Sequence, residues 1–134
     1  MPKQLKILLV DDDALFLLAH REELKAAGYE TQTARNGQEA LEIAEKEEIS
    51  IAFVDLIMPR MGGIETCRGL RRISPGTRLF LLTGFPDQLS PVLRAFLEEE
   101  GGPGKLSKPL GEDELTRTIE KVLQEGTATT CLKE

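Results

Sequence analysis

Three short, unbroken apolar runs constrain this chain more than any other feature: Lys6–Val10 (KILLV), Ile51–Val54 (IAFV) and Arg78–Leu82 (RLFLL). Each is too short for a buried helix. A run this short without polar interruption suits a β-strand covered on both faces. Two weaker strands are expected at Tyr29–Ala34, whose polar content suits a sheet edge, and at Lys105–Ser107. Between them lie helical stretches at about Ala14–Ala27, Gln38–Glu47, Ile64–Ile73, Gln88–Glu99 and Glu112–Gln124. Asp13 is placed to cap the first helix and Gly28 to end it. From Gly126 onward the chain reads as a frayed tail, so one domain over residues 1–125 and a flexible tail over 126–134 are expected.

Regular alternation of strand and helix predicts a parallel sheet with helices on both faces. Right-handed crossovers and five units favour an α/β doubly wound sheet of order 2-1-3-4-5, with the first and third strands adjacent. Ligands of such sheets sit outside the carboxyl ends of the strands. The residues that matter are therefore those that follow the strands.

Asp11, Asp12 and Asp13 follow the first strand, Asp55 the third, Thr83 the fourth and Lys108 the fifth. The predicted order brings Asp11, Asp12 and Asp55 to one cleft. Clustered carboxylates repel one another, and a hard divalent cation such as Mg²⁺ relieves that repulsion. A metal among carboxylates, with a lysine and a hydroxyl beside it, suits phosphoryl transfer to a carboxylate. Taken singly, each group has a plainer reading: Asp13 as a helix cap, Asp11 and Asp12 as solvated loop carboxylates, Thr83 as a turn residue, Lys108 as a surface charge. The force of the pattern lies in four compatible strand ends in one chain.

Composition narrows the class. The chain has 134 residues, 40% hydrophobic and 30% charged, enough for one core without disulfides. A formal net charge of -6 disfavours direct, unspecific nucleic-acid binding. Cys67 and Cys131 form neither a metal-binding spacing nor a disulfide framework, which suits a reducing cytoplasm. No run approaches a membrane span, and the N-terminus does not resemble a signal peptide. His20 reads as an ordinary helix-surface residue, Cys67 as a small helix residue, and Arg68, Arg71, Arg72 and Arg78 as a solvated basic face.

The segments Ile7–Asp13 (ILLVDDD), Val54–Glu65 (VDLIMPRMGGIE), Leu81–Gly84 (LLTG) and Leu106–Leu110 (LSKPL) resemble the receiver domains of two-component response regulators, from about Leu5 to Gln124. The resemblance implies the flavodoxin-like receiver fold and a Mg²⁺-dependent transfer from a histidine kinase or phosphotransfer protein. It implies Asp55 as phosphoacceptor, Asp11 and Asp12 as the acidic pair, with Asp12 the more direct metal ligand, and Ile57 as a backbone-carbonyl ligand. Thr83 then resembles the switch hydroxyl, and Lys108, before a cis proline, the lysine that contacts the phosphoryl group. Such a chain catalyses only its own phosphorylation and dephosphorylation and is not a conventional enzyme. A downstream protein or output domain would read the face formed by helix four, strand five and helix five.

Two features depart from that pattern. Lys105 stands where the family usually carries the aromatic half of its switch. The stretch from Thr83 to Lys108 is longer than usual and carries Glu98-Glu99-Glu100, whose charges oppose the macrodipole at a helix C-terminus and predict a short or irregular fourth helix. Apolar Ile57 and Phe85 occupy positions that tune hydrolysis in the family, which predicts slow dephosphorylation. The alternative function is a pseudo-receiver that binds partners without phosphate. A haloacid-dehalogenase-type phosphatase lacks room for a cap domain, and a flavodoxin-like FMN carrier lacks its phosphate loop. No helix-turn-helix fits after the fifth helix, so a stand-alone receiver acting through protein contacts, or the excised N-terminal part of a longer regulator or hybrid kinase, is expected.

Overall fold

The structure is a computed structural model that describes residues 5–84, 90–99 and 102–133, with side chains described as far as Glu125. Five strands, β1 (Lys6–Val10), β2 (Glu30–Ala34), β3 (Ile51–Asp55), β4 (Arg78–Thr83) and β5 (Gly104–Ser107), alternate with five helices. These are α1 (Ala14–Ala26), α2 (Gly37–Lys46), α3 (Gly63–Ile73), α4 (Pro91–Glu98) and α5 (Glu114–Lys133). The strands form one sheet in the order β2-β1-β3-β4-β5, every neighbouring pair parallel, as the alternation predicts.

The pleat divides the apolar runs between two cores. Leu8, Val10, Ala52, Val54, Leu79 and Leu81 face α2, α3 and α4, where they pack with Ala40, Cys67, Leu70 and Phe96. Ile7, Leu9, Ile51, Phe53, Phe80 and Leu82 face α1 and α5, where they pack with Leu17, Leu24, Leu115 and Ile119. Both faces of a central strand are dry, so alternate residues serve opposite cores without a polar position between them. Each fully buried leucine or phenylalanine contributes about 1.5–3 kcal/mol of transfer free energy.

The ends of α1 follow the sequence closely. The Asp13 carboxylate accepts from the backbone N–H groups of Leu15 and Phe16. At the other end Gly28 adopts φ 97°, Gly28 N–H donates to Lys25 O and Tyr29 N–H to Leu24 O. That paired closure needs a left-handed residue, which glycine supplies without a Cβ clash.

Three boundaries differ from the expectation by two residues or more. Helix α4 begins at Pro91 with Ser90 as its cap, its hydroxyl accepting from Leu93 N–H. Proline disfavours a helical residue before it and suits the first helical position; Gln88, where a start was expected, lies outside the described residues. Helix α5 starts at Glu114 and not Glu112, because Asp113 has φ 59° and stands outside the helical region. Its helical backbone runs to Lys133, past the expected helix end at Gln124.

Candidate functional site at the carboxyl ends of the strands

Apart from Ile57, every site candidate ends a strand or follows one within two residues. Asp11 directly follows β1, and its N–H donates to Ala34 O of β2 at 3.1 Å. Its carboxylate is 1% exposed, accepting from Asp13 N–H at 2.9 Å and from the Lys108 ammonium at 2.6 Å. Asp12 is exposed, as the alternating direction of consecutive side chains requires. Asp55 closes β3 and is buried. One ligand oxygen each from Asp11, Asp12 and Asp55 falls within 4.8 Å of the others. An all-oxygen grouping of this size suits a hard divalent cation.

Lys108 bridges two of these carboxylates, with Nζ 2.6 Å from Asp11 and 3.3 Å from Asp55. The strand network fixes its backbone: Lys108 N–H donates to Thr83 O at 2.8 Å, and the Lys108–Pro109 peptide is cis. Thr83 ends β4 and is buried beside Asp55, since Asp55 and Leu82 are register partners. Ile57 lies in the loop after β3, its side chain exposed; its carbonyl accepts no hydrogen bond among the described residues. Phe85 lies outside the described residues.

Electrostatics favour a cation. Burial and the neighbouring Asp11 charge push the Asp55 carboxyl up from 3.8 to about 6, although Lys108 pulls the other way. Burial acts to lower the Lys108 ammonium, but the hydrogen bond to Asp11 and the Asp55 charge outweigh it and hold the group above its ordinary value. One ammonium among three carboxylates leaves the cleft with an excess of negative charge.

The loop from β3 to α3 is drawn tightly against Asp55. Gly63 N–H donates to Leu56 O at 2.8 Å. A Cβ at Gly63 would run into the carbonyl oxygen of Asp55 and come within 2.7 Å of Leu56 Cα. The glycine thus permits a close backbone approach immediately behind the Asp55 carboxylate.

This arrangement has counterparts. The family model described as "Response regulator receiver domain" matches residues 7–120. The chain belongs to that family. Receiver-bearing relatives include the alkaline phosphatase synthesis transcriptional regulatory protein PhoP of Bacillus subtilis, 30% identical over 89% of this chain and 48% of its own length. Response regulator MprA of Mycobacterium leprae is 32% identical over 90% of this chain and 51% of its own length. This receiver therefore spans about half the length of the regulators it matches. Among solved structures, the Vibrio cholerae chemotaxis protein CheY4 superposes with TM-score 0.78 at 31% identity, covering 90% of this chain and 99% of its own. A CheY-like receiver from Methanospirillum hungatei gives TM-score 0.84 at 28% identity, covering 95% and 99%.

Sequence reasoning missed two contacts of this receiver. Phe16 lies beneath the Lys108 ammonium, 4.4 Å from Nζ to the ring centroid. Aromatic identity so close after the aspartates was the only available signal. The second concerns the arginines, which are not a purely solvated face. Arg68 and Arg71 bind the two oxygens of Glu99 at 3.0 and 3.2 Å, and both guanidinium groups stack over Phe96. Arg78 pairs with Glu125 at 3.2 Å, and Arg72 is exposed. Cys67 is buried, which pushes its thiol up to about 12 and removes it from nucleophilic chemistry. Among the described residues no helix is long and apolar enough to cross a membrane.

Proposed function

We propose that this receiver accepts a phosphoryl group on Asp55 from a histidine kinase or phosphotransfer protein, with Mg²⁺ held by Asp11, Asp12, Asp55 and the Ile57 carbonyl. The observation that carries the reading is the meeting of three carboxylates and one lysine at strand ends that are far apart in sequence. The donor set fits Mg²⁺: oxygen ligands only, an excess of negative charge, and an exposed Asp12 on the open side. When bound, the metal supplies charge neutralisation for the phosphoryl oxygens. Asp55 attacks phosphorus through a carboxylate oxygen. The bond from phosphorus to the donor nitrogen breaks, and the donor imidazole keeps that electron pair and takes up a proton. Lys108 offers its ammonium to a phosphoryl oxygen, and Thr83 offers its hydroxyl to another.

Residues 1–125 act as the receiver unit in this reading. The face of α4, β5 and α5 passes the state of Asp55 to a downstream protein or output domain. Lys105 is exposed on that face, where it presents a cation in place of an aromatic ring. Apolar Ile57 and Phe85 slow hydrolysis of the acyl phosphate, and Ile57→Asn and Phe85→Ala should each shorten its half-life.

Incubation with acetyl phosphate, with and without Mg²⁺, followed by intact mass measurement tests the central claim. A Mg²⁺-dependent gain of one phosphoryl group, lost in Asp55→Ala, is expected. Failure to gain mass together with failure to bind beryllofluoride and Mg²⁺ would leave a pseudo-receiver that binds partners without phosphate.

A further inference from the structure

Lysine carries its charge on four rotatable bonds, so an ammonium that must meet a phosphoryl group needs lateral support. In this receiver the Asp11 and Asp55 carboxylates supply part of it. A divalent cation on those same carboxylates would compete with the ammonium for them. A further support, independent of the carboxylates, is therefore required once the metal is bound.

The ring of Phe16 meets that requirement. It projects from the first turn of α1, is half-buried, and packs against the core beneath α1 and α5. Its centroid lies 4.4 Å from Lys108 Nζ. The ring is itself braced. His20, one turn along α1, packs against it with centroids 4.4 Å apart at 52°. His20 Nδ1 lies 2.9 Å from Glu23 Oε1, and Thr116 of α5 donates to Glu23 Oε2 at 3.4 Å. Asp13, Phe16, His20, Lys108, Pro109 and Leu110 line an open surface pocket of about 380 Å³ beside the cleft, so the ring borders free space around the ammonium.

We propose that Phe16 is a positioning residue for Lys108: its ring face holds the ammonium toward Asp55 when a cation occupies the carboxylates, with His20 as the brace behind it. The attraction is that of a cation for the negative face of an aromatic ring, which an aliphatic side chain of similar bulk does not reproduce. Competition from a metal does not weaken it, because the ring is a poor ligand for a hard cation. The proposal rests on the reading that Lys108 contacts the phosphoryl group.

Two measurements on the full chain test it, comparing wild type, Phe16→Leu and Phe16→Trp. The first is the ring-current shift of the Lys108 ε-methylene protons, assigned with Lys108→Arg and recorded with and without Mg²⁺. The second is the rate of Mg²⁺-dependent phosphorylation by acetyl phosphate. Phe16→Leu should erase the shift and slow phosphorylation about tenfold, and Phe16→Trp should restore both. A folded Phe16→Leu protein with the wild-type rate overturns the proposal, as does a wild-type spectrum without the ring-current shift in Mg²⁺. Should Phe16→Leu not fold, 4-cyanophenylalanine at position 16 keeps the shape and weakens the ring face; an unchanged rate then overturns it equally. Wild-type protein that neither takes a phosphoryl group nor binds beryllofluoride with Mg²⁺ overturns the underlying reading instead, and that result is visible before any variant is compared.

Discussion

The floor of the cleft and its α4 side are held by different means. At the floor, Asp11, Asp55 and Thr83 are buried ends of central strands, fixed by backbone ladders on both sides and by packed cores above and below the sheet. On the α4 side, an eight-residue helix buries Leu93 and Phe96, packs the half-buried Leu97 against the core, and is tied to α3 through Glu99 between Arg68 and Arg71. A position held by many short-range bonds resists displacement. A short helix with two fully buried side chains and a surface ion pair is more lightly held than the central strands among the described residues. The same molecule thus combines a firmly held acidic cleft with a more lightly held neighbouring helix.

The widest gap between the two regions should appear in a core substitution under the floor. Phe53 is fully buried and stacks on Phe80 with centroids 5.3 Å apart. Phe53→Ala should cost about 3–5 kcal/mol in urea unfolding. A cost below about 2 kcal/mol would mean that the floor is not the rigid half of the comparison.

The charge at the floor provides the next test. The Asp55 carboxyl is raised from 3.8 to about 6, so the folded metal-free protein holds this proton more tightly than the unfolded chain does. The stability due to the protonated group is present below the unfolded value and is lost as pH rises through about 6. Asp55→Asn should therefore stabilise the metal-free protein by about 2–3 kcal/mol near neutral pH and have little effect at acid pH. Urea melts in the presence of a chelator at several pH values measure it. An equal effect at all pH values would place the origin elsewhere than in the carboxylate charge.

Gly63→Ala probes the backbone behind Asp55. The added methyl meets backbone atoms of Asp55 and Leu56 that cannot turn aside, so a loss of about 1–3 kcal/mol is expected. Phosphorylation should slow beyond what the stability loss accounts for, because Asp55 itself is displaced. Normal phosphorylation in a destabilised Gly63→Ala protein would show that the loop adjusts without moving the carboxylate.

The smallest effect belongs to the α4 side. Hydrogen bonds from Arg68 and Arg71 hold the Glu99 carboxyl below its ordinary value. The pairing is present above the unfolded carboxylate value and is lost as pH falls through the folded one. Glu99→Gln should speed amide exchange within Pro91–Glu98 at neutral pH while leaving the global unfolding midpoint nearly unchanged. Acidification of the wild type should produce the same local loosening. Unchanged exchange in α4 would remove the claim that this ion pair holds the helix.

The strands were legible because each is a continuous apolar run, and a strand between two helical layers has no other composition open to it. The cleft was legible for the same reason: once the strand order follows from alternation, Asp11, Asp55, Thr83 and Lys108 fall at strand ends on one edge. The acidic run at the end of α4 was read from its own helix alone, where its charge opposes the dipole. Its partners lie on α3, and the Arg68–Glu99 contact spans 31 residues. The start of α5 was misplaced because the left-handed Asp113 carries no strong sequence mark. Helix periodicity says which face of α1 is buried, but not that Phe16 turns its ring to a lysine more than ninety residues away.

By itself, then, the sequence determined the sheet, the strand order and the set of groups gathered at its edge, because burial period and strand-end position are local properties of the chain. Tertiary structure alone decided which of those groups touch. Lys108 bridges Asp11 and Asp55 above Phe16, and Glu99 is gripped by two arginines of α3. Side-chain contacts between elements distant in sequence depend on packing angles and rotamers that no local pattern encodes.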